Sequence, residues 1–147
     1  MSVKEIQEKL AESMKKWQAI ENASIASTGK VIGQTKNPLI RLVMEIIQSD
    51  SRTHHMVQGF IYASLRHEAV SLTPEELAAV WDQIEKHNEL EKKMVSYVKD
   101  LLEMLKNKKM IVQEYLLNYL KEDERKHLDM LNALNSIKKG AYPYASS

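Results

Sequence analysis

Ser71-Leu72-Thr73-Pro74-Glu75-Glu76 is the stretch on which the reading of this chain turns. Thr73 with Glu76 three residues later forms a capping box. The threonine hydroxyl accepts from the Glu76 amide while the glutamate side chain reaches back to the amide of Thr73. Pro74 takes the first helical position, where a missing N–H costs nothing. A helix therefore starts at Pro74, and an earlier one ends just before this turn. The same punctuation recurs outward. Upstream, Gly33-Gln34-Thr35-Lys36-Asn37-Pro38 is a break in which Asn37 caps and Pro38 opens the next helix. Downstream, Lys106-Asn107-Lys108-Lys109 is a weaker break, marked by cations suited to a helix C-terminus. Gly140 and Pro143 stop the last helix. The spacing predicts helices over 3–34, 38–69, 74–106 and 109–138, which makes an all-α four-helix bundle in one domain, 1–140, with 141–147 as a tail.

Composition narrows the class further. Only four glycines and three prolines interrupt 147 residues that are otherwise rich in helix formers, so strands are not expected. Lys and Arg number 21 against 20 Asp and Glu, and the two signs are interspersed. The resulting net charge of +1 gives neither nucleic acid nor an anionic membrane a reason to bind. There is no cysteine, which excludes disulfides, thiolate metal sites and thiol nucleophiles and fits a reducing cytoplasm. No stretch approaches the roughly 20 apolar residues of a membrane span, and the first residues lack a signal-peptide core. A soluble cytoplasmic protein is the expectation.

Each apolar stripe of the predicted bundle fails at one place. Helix one reads Val3, Ile6, Leu10, Met14, Trp17, Ile20, then Glu21, Ser24, Thr28 and Val31. Helix two reads Leu39, Val43, Ile46 and Ile47, then Asp50 and His54, and returns to Val57, Ile61 and Leu65. Helix three breaks at His87, Asn88 and Glu91 before Val95, Val98, Leu101 and Leu105. Helix four breaks at Glu124 and His127 between Leu120 and Leu131. Counted from the first turn, Glu21 lies 17 positions before Pro38, while Asp50 and His54 lie 12 and 16 after it. Glu91 lies 15 before Lys106, and Glu124 and His127 lie 15 and 18 after Lys109. The interruptions share a level, given a rise of about 1.5 Å per residue.

Isolated carboxylates inside an apolar bundle cost several kcal/mol each unless protonated, paired or bound to metal. Asp50 with His54, and Glu124 with His127, stand at i, i+4 and i, i+3 and so offer oxygen and nitrogen from one helix face. With Glu21 and Glu91 the set is four carboxylates and two imidazoles, the inventory of di-iron or di-manganese carboxylate bundles.

At these residues the chain resembles the ferritin-like superfamily, especially rubrerythrin-type di-iron domains. In those, helices one and three each give a Glu and helices two and four each give Glu-x-x-His. Glu122-Asp123-Glu124-Arg125-Lys126-His127 looks much like the fourth-helix motif, and the likeness covers roughly residues 5–135. The resemblance implies that Glu21 and Glu91 are terminal carboxylates, Glu124 a bridging one, and His54 and His127 nitrogen ligands to two iron or manganese ions. It implies redox handling of iron, peroxide or dioxygen, with an external electron donor because the chain has no cysteine for a rubredoxin-like centre. It further implies a homodimer or small homo-oligomer, because a storage shell uses a fifth short helix. Two departures stand out. Ser51 occupies the position three before His54 where the family has Glu, leaving Asp50 to supply that carboxylate. The turn at 70–73 also reaches at most about 14 Å, too short for the family's long crossover, so either helix two frays after about Phe60 to provide it or the bundle is simply up-down-up-down, which the counting from the turns favours.

The competing reading is a metal-free helical bundle acting as a structural or partner-binding module, with Glu124 and His127 in an internal salt bridge. His55 reads as a flanking polar residue, His67 as a residue at the end of helix two, Glu85 and Glu89 as solvated partners of lysines, and Trp17 and Trp81 as core. His87 with Glu91 makes His-x-x-x-Glu, but the chain lacks the further histidines of a hemerythrin-like set.

Overall fold

A computed structural model of the chain describes residues 1–67, 70 and 72–145, with the backbone alone for 137–145. It contains four helices, α1 (Val3–Gln34), α2 (Pro38–Arg66), α3 (Pro74–Leu105) and α4 (Ile111–Ala145), and no strand among the described residues. The all-α class and the helix count are those the punctuation predicts. The helices form two compact units, Met1–Val70 and Ser71–Ser147, each an antiparallel hairpin of consecutive helices. None of the helices is long and apolar enough to cross a membrane among the described residues.

The starts of α1, α2 and α3 each have a chemical cause. The Thr73 hydroxyl accepts from Glu76 N at 3.2 Å, and Glu76 Oε2 accepts from Thr73 N at 2.8 Å. A second capping box, unremarked in the sequence, opens α1: Ser2 and Glu5 exchange the same two bonds at 2.8 and 3.2 Å. Asn37 Oδ1 accepts from Leu39 N and Ile40 N at the head of α2. α3 ends at Leu105, and the turn into α4 carries Asn107 and Lys109 at φ 62° and 57°. Asparagine tolerates this left-handed conformation and lysine less so, which is why the break is faint in composition. α2 stops at Arg66, a little short of the expected 69, with exposed His67 as its cap. α4 runs past Gly140 and Pro143 to Ala145, where a tail was expected. Residues 146–147 of the expected tail lie outside the described residues.

The seams within the hairpins are narrow. α1 buries Ala11, Met14, Glu21 and Thr28, α2 buries Ser51 and Gln58, and α3 buries Leu77, Asn88, Glu91, Val95 and Val98. Trp17 and Ile20, expected in the core, are 51% and 64% exposed. A two-helix contact covers a strip narrower than the apolar stripe the sequence shows, so one flank of that stripe stays outside it. The α1–α2 seam is largely polar. Gln18 Nε2 donates to the His55 carbonyl at 3.0 Å and Gln48 Nε2 to the Ile25 carbonyl at 3.1 Å, so each helix sends an amide to the other's backbone. Gly59 makes room for the first of these: a Cβ there would stand 2.9 Å from Gln18 Nε2. Arg66 pairs with Glu8 at 2.8 Å and Lys15 stacks over Tyr62, closing the edge of this hairpin.

Candidate metal centre

In the α3–α4 hairpin, Glu91 sits on the seam of α3 with 2% of its surface exposed. Its Oε1 accepts from two imidazoles: His87 Nε2, one turn earlier on the same helix, at 2.8 Å, and His127 Nδ1 of α4 at 3.3 Å. Glu124, three residues before His127, brings its Oε2 to 3.8 Å from His127 Nδ1. On the far side of that ring, Asp123 Oδ2 lies 3.6 Å from His127 Nε2, and Asp123 is itself paired with Lys126 at 2.8 Å. One donor atom each from Glu91, Glu124 and His127 lie within 4.8 Å of one another.

The two carboxyl groups are in hydrogen-bonding reach and compete for protons. Hydrogen bonding to Glu91 raises the Glu124 carboxyl above the usual range, and burial and the charge of Glu91 add to the effect. For Glu91, burial pushes the same way, but the contacts with Glu124, His87 and His127 together outweigh it and hold its carboxyl below the usual range. Two acceptor oxygens are still left over, because neither Glu91 Oε2 nor Glu124 Oε2 has a hydrogen-bond donor. A proton on Glu124 shared with Glu91 satisfies the pair, and so does a cation held between them.

The α1–α2 hairpin repeats the opening of this arrangement and then diverges. Glu21, 6% exposed, faces His54 Nδ1 of α2 through Oε2 at 3.3 Å. The same Oε2 accepts from Gln58 Nε2 at 2.8 Å, and Gln58 is 3% exposed. Three residues before His54, at the place Glu124 takes relative to His127, Ser51 is buried and its Oγ lies 2.8 Å from Ser24 Oγ. Asp50, proposed above as the substitute carboxylate, is exposed.

Of the six residues singled out in the sequence, the structure brings together Glu91, Glu124 and His127 in one hairpin and Glu21 and His54 in the other; Asp50 joins neither group. Gln58 and His87 are the additions. His87 carried a legible signal, an imidazole one turn before a buried carboxylate. Gln58 carried almost none, since an amide between Val57 and Ile61 looks like any polar residue beside a stripe.

Comparisons with family models, with curated proteins and with solved structures return no match for this chain.

Proposed function

We propose that this chain is a metal-binding helical protein of ferritin-like character that holds iron or manganese through Glu91, Glu124 and His127. The observation that carries this reading is the pair of buried carboxylate oxygens, Glu91 Oε2 and Glu124 Oε2, left without donors beside an imidazole. A set of two carboxylates and one imidazole suits borderline divalent ions such as iron and manganese. It is too nitrogen-rich for a typical calcium site and lacks the thiolates that select softer ions. His87 steadies Glu91 from one side, and Asp123 stands behind the His127 ring, the placement by which a carboxylate orients an imidazole ligand. A bound ion would supply one-electron chemistry, either oxidation of ferrous iron with dioxygen or peroxide as the electron acceptor, or reduction of peroxide or dioxygen with electrons from an external donor.

Metal analysis of protein purified without chelators tests the proposal. Iron or manganese in stoichiometric amount, lost in Glu124→Ala and His127→Ala, supports it. Protein that carries no metal, and whose melting temperature stays put when either ion is added, sinks it. The second reading, a metal-free partner-binding or structural module, has its own observation in the raised Glu124 carboxyl. A proton shared with Glu91 stabilises the pair without any ion, and the null outcome of the same experiment selects it.

A further inference from the structure

The two hairpins offer a metal unequal donor sets. In α3–α4, two carboxylates and an imidazole converge and two carboxylate oxygens lack donors. In α1–α2, the place three residues before the histidine holds Ser51, a neutral hydroxyl already engaged with Ser24 at 2.8 Å. The one buried carboxylate, Glu21, has its Oε2 occupied by an amide N–H from Gln58 at 2.8 Å and by His54 Nδ1 at 3.3 Å. A cation approaching that oxygen meets the positive end of the Gln58 dipole. If the amide turns, it presents a neutral oxygen and still leaves a single carboxylate against a divalent charge. Asp50 is exposed and supplies no second one. Among the described residues, Glu91, Glu124 and His127 form the only group of three or more such ligands close enough to share an ion.

We infer that the chain binds one ion, not two, and that Ser51 and Gln58 together keep the α1–α2 hairpin metal-free, its Glu21 serving instead as a brace through the Gln58 hydrogen bond and the His54 contact. The inference rests on the metal-binding reading of α3–α4 and adds the ion count and the residues that set it.

Calorimetric titration of the metal-free full chain with Mn(II) or Co(II) under anaerobic conditions, with the retained metal counted after desalting, decides the matter. One ion per chain is expected. Glu21→Gln and His54→Ala keep that count, with Kd changed by no more than about threefold, the behaviour of sites that do not share a ligand. His54 is half exposed, so its removal tests the point without disturbing the fold. The double variant Ser51→Glu, Gln58→Ala, checked for helicity by circular dichroism, acquires a second equivalent. Two ions in the unaltered chain overturn the inference and leave the α3–α4 site standing, whereas no ion overturns both. Loss of the single ion in Glu21→Gln, or a folded double variant that still takes only one, also overturns it.

Discussion

In both hairpins a buried glutamate of the first helix faces a histidine of the second, at 3.3 Å in each case. In α1–α2 the remaining demands of that glutamate are met by protein: Gln58 donates to it, Ser24 and Ser51 bond to each other, and Gln18 and Gln48 tie the helices across the seam. In α3–α4 a second carboxyl takes the place of the serine, and two oxygens go without donors. The first arrangement leaves one buried neutral oxygen, Gln58 Oε1, without a partner, and no buried carboxylate oxygen. The second is under-satisfied, and buried under-satisfied carboxylates are where a protein keeps binding capacity at the expense of stability. The difference rests on two positions, Ser51 and Gln58 in one hairpin against Glu124 and Leu131 in the other.

The largest expected effect strikes the second hairpin. Glu91→Ala removes the carboxylate that Glu124, His87 and His127 all address, and Mn(II) or Co(II) affinity should fall by more than about 100-fold, beyond the loss typical of an outer-shell partner. Titration calorimetry reads this directly. Retention of most of the affinity would move the site away from α3. The counterpart in the first hairpin is a stability effect. Gln58→Ala leaves Glu21, 6% exposed, without its amide donor and should cost about 1 to 3 kcal/mol in urea unfolding. Metal affinity should be untouched. A Gln58→Ala variant as stable as the parent would show that the brace is dispensable.

Much of the fold was readable, and the reason is local chemistry. Caps are short-range, so Thr73-Pro74 and Asn37-Pro38 place the starts of α3 and α2 to the residue. Boundaries without strong caps, the end of α2 and both ends of α4, drift by a few positions. The site was readable where two ligands share one helix: Glu124 and His127 at i, i+3 need no tertiary knowledge to be placed together. It was not readable at 50–51, where neighbouring positions differ by about 100° around the helix and only packing decides which side chain turns inward. The structure turns Ser51 inward and leaves Asp50 exposed. Trp17 and Ile20 mislead for a related reason. Hydrophobic periodicity reports a broad face, and the α1–α2 contact uses only the strip through Met14, Glu21 and Thr28.

His87 sharpens the comparison at a smaller scale, because it has no counterpart in α1–α2, where Trp17 lies four residues before Glu21. His87 Nε2 steadies Glu91 at 2.8 Å from a half-exposed ring. His87→Ala should weaken metal affinity by about 10-fold, within the range for removing a group that orients a ligand. The ion count should stay the same. A loss as large as that of Glu91→Ala would instead make His87 a ligand.

The smallest effect tests whether the leftover oxygens cost the metal-free protein anything. Glu124→Gln replaces the carboxyl with an amide that donates to Glu91 at every pH, as the protonated acid does only at low pH. Because the folded state raises the Glu124 carboxyl above its ordinary value of 4.5, the native protein binds that proton more tightly than the unfolded chain does. This contribution to stability is fully present below 4.5 and fades as pH rises through the raised value. The lowered Glu91 carboxyl works in the opposite sense, contributing above 4.5 and fading in acid, so the two effects occupy different pH windows. From pH 4.5 up to pH 8, metal-free parent protein should therefore lose stability relative to Glu124→Gln. The variant should be more stable at pH 8 by about 1 kcal/mol, the net worth of one restored hydrogen bond, while failing to bind metal. Urea unfolding midpoints at the two pH values measure the difference. A variant that is less stable than the parent at pH 8 would mean that the Glu91–Glu124 contact is already satisfied and that α3–α4 is as complete as α1–α2.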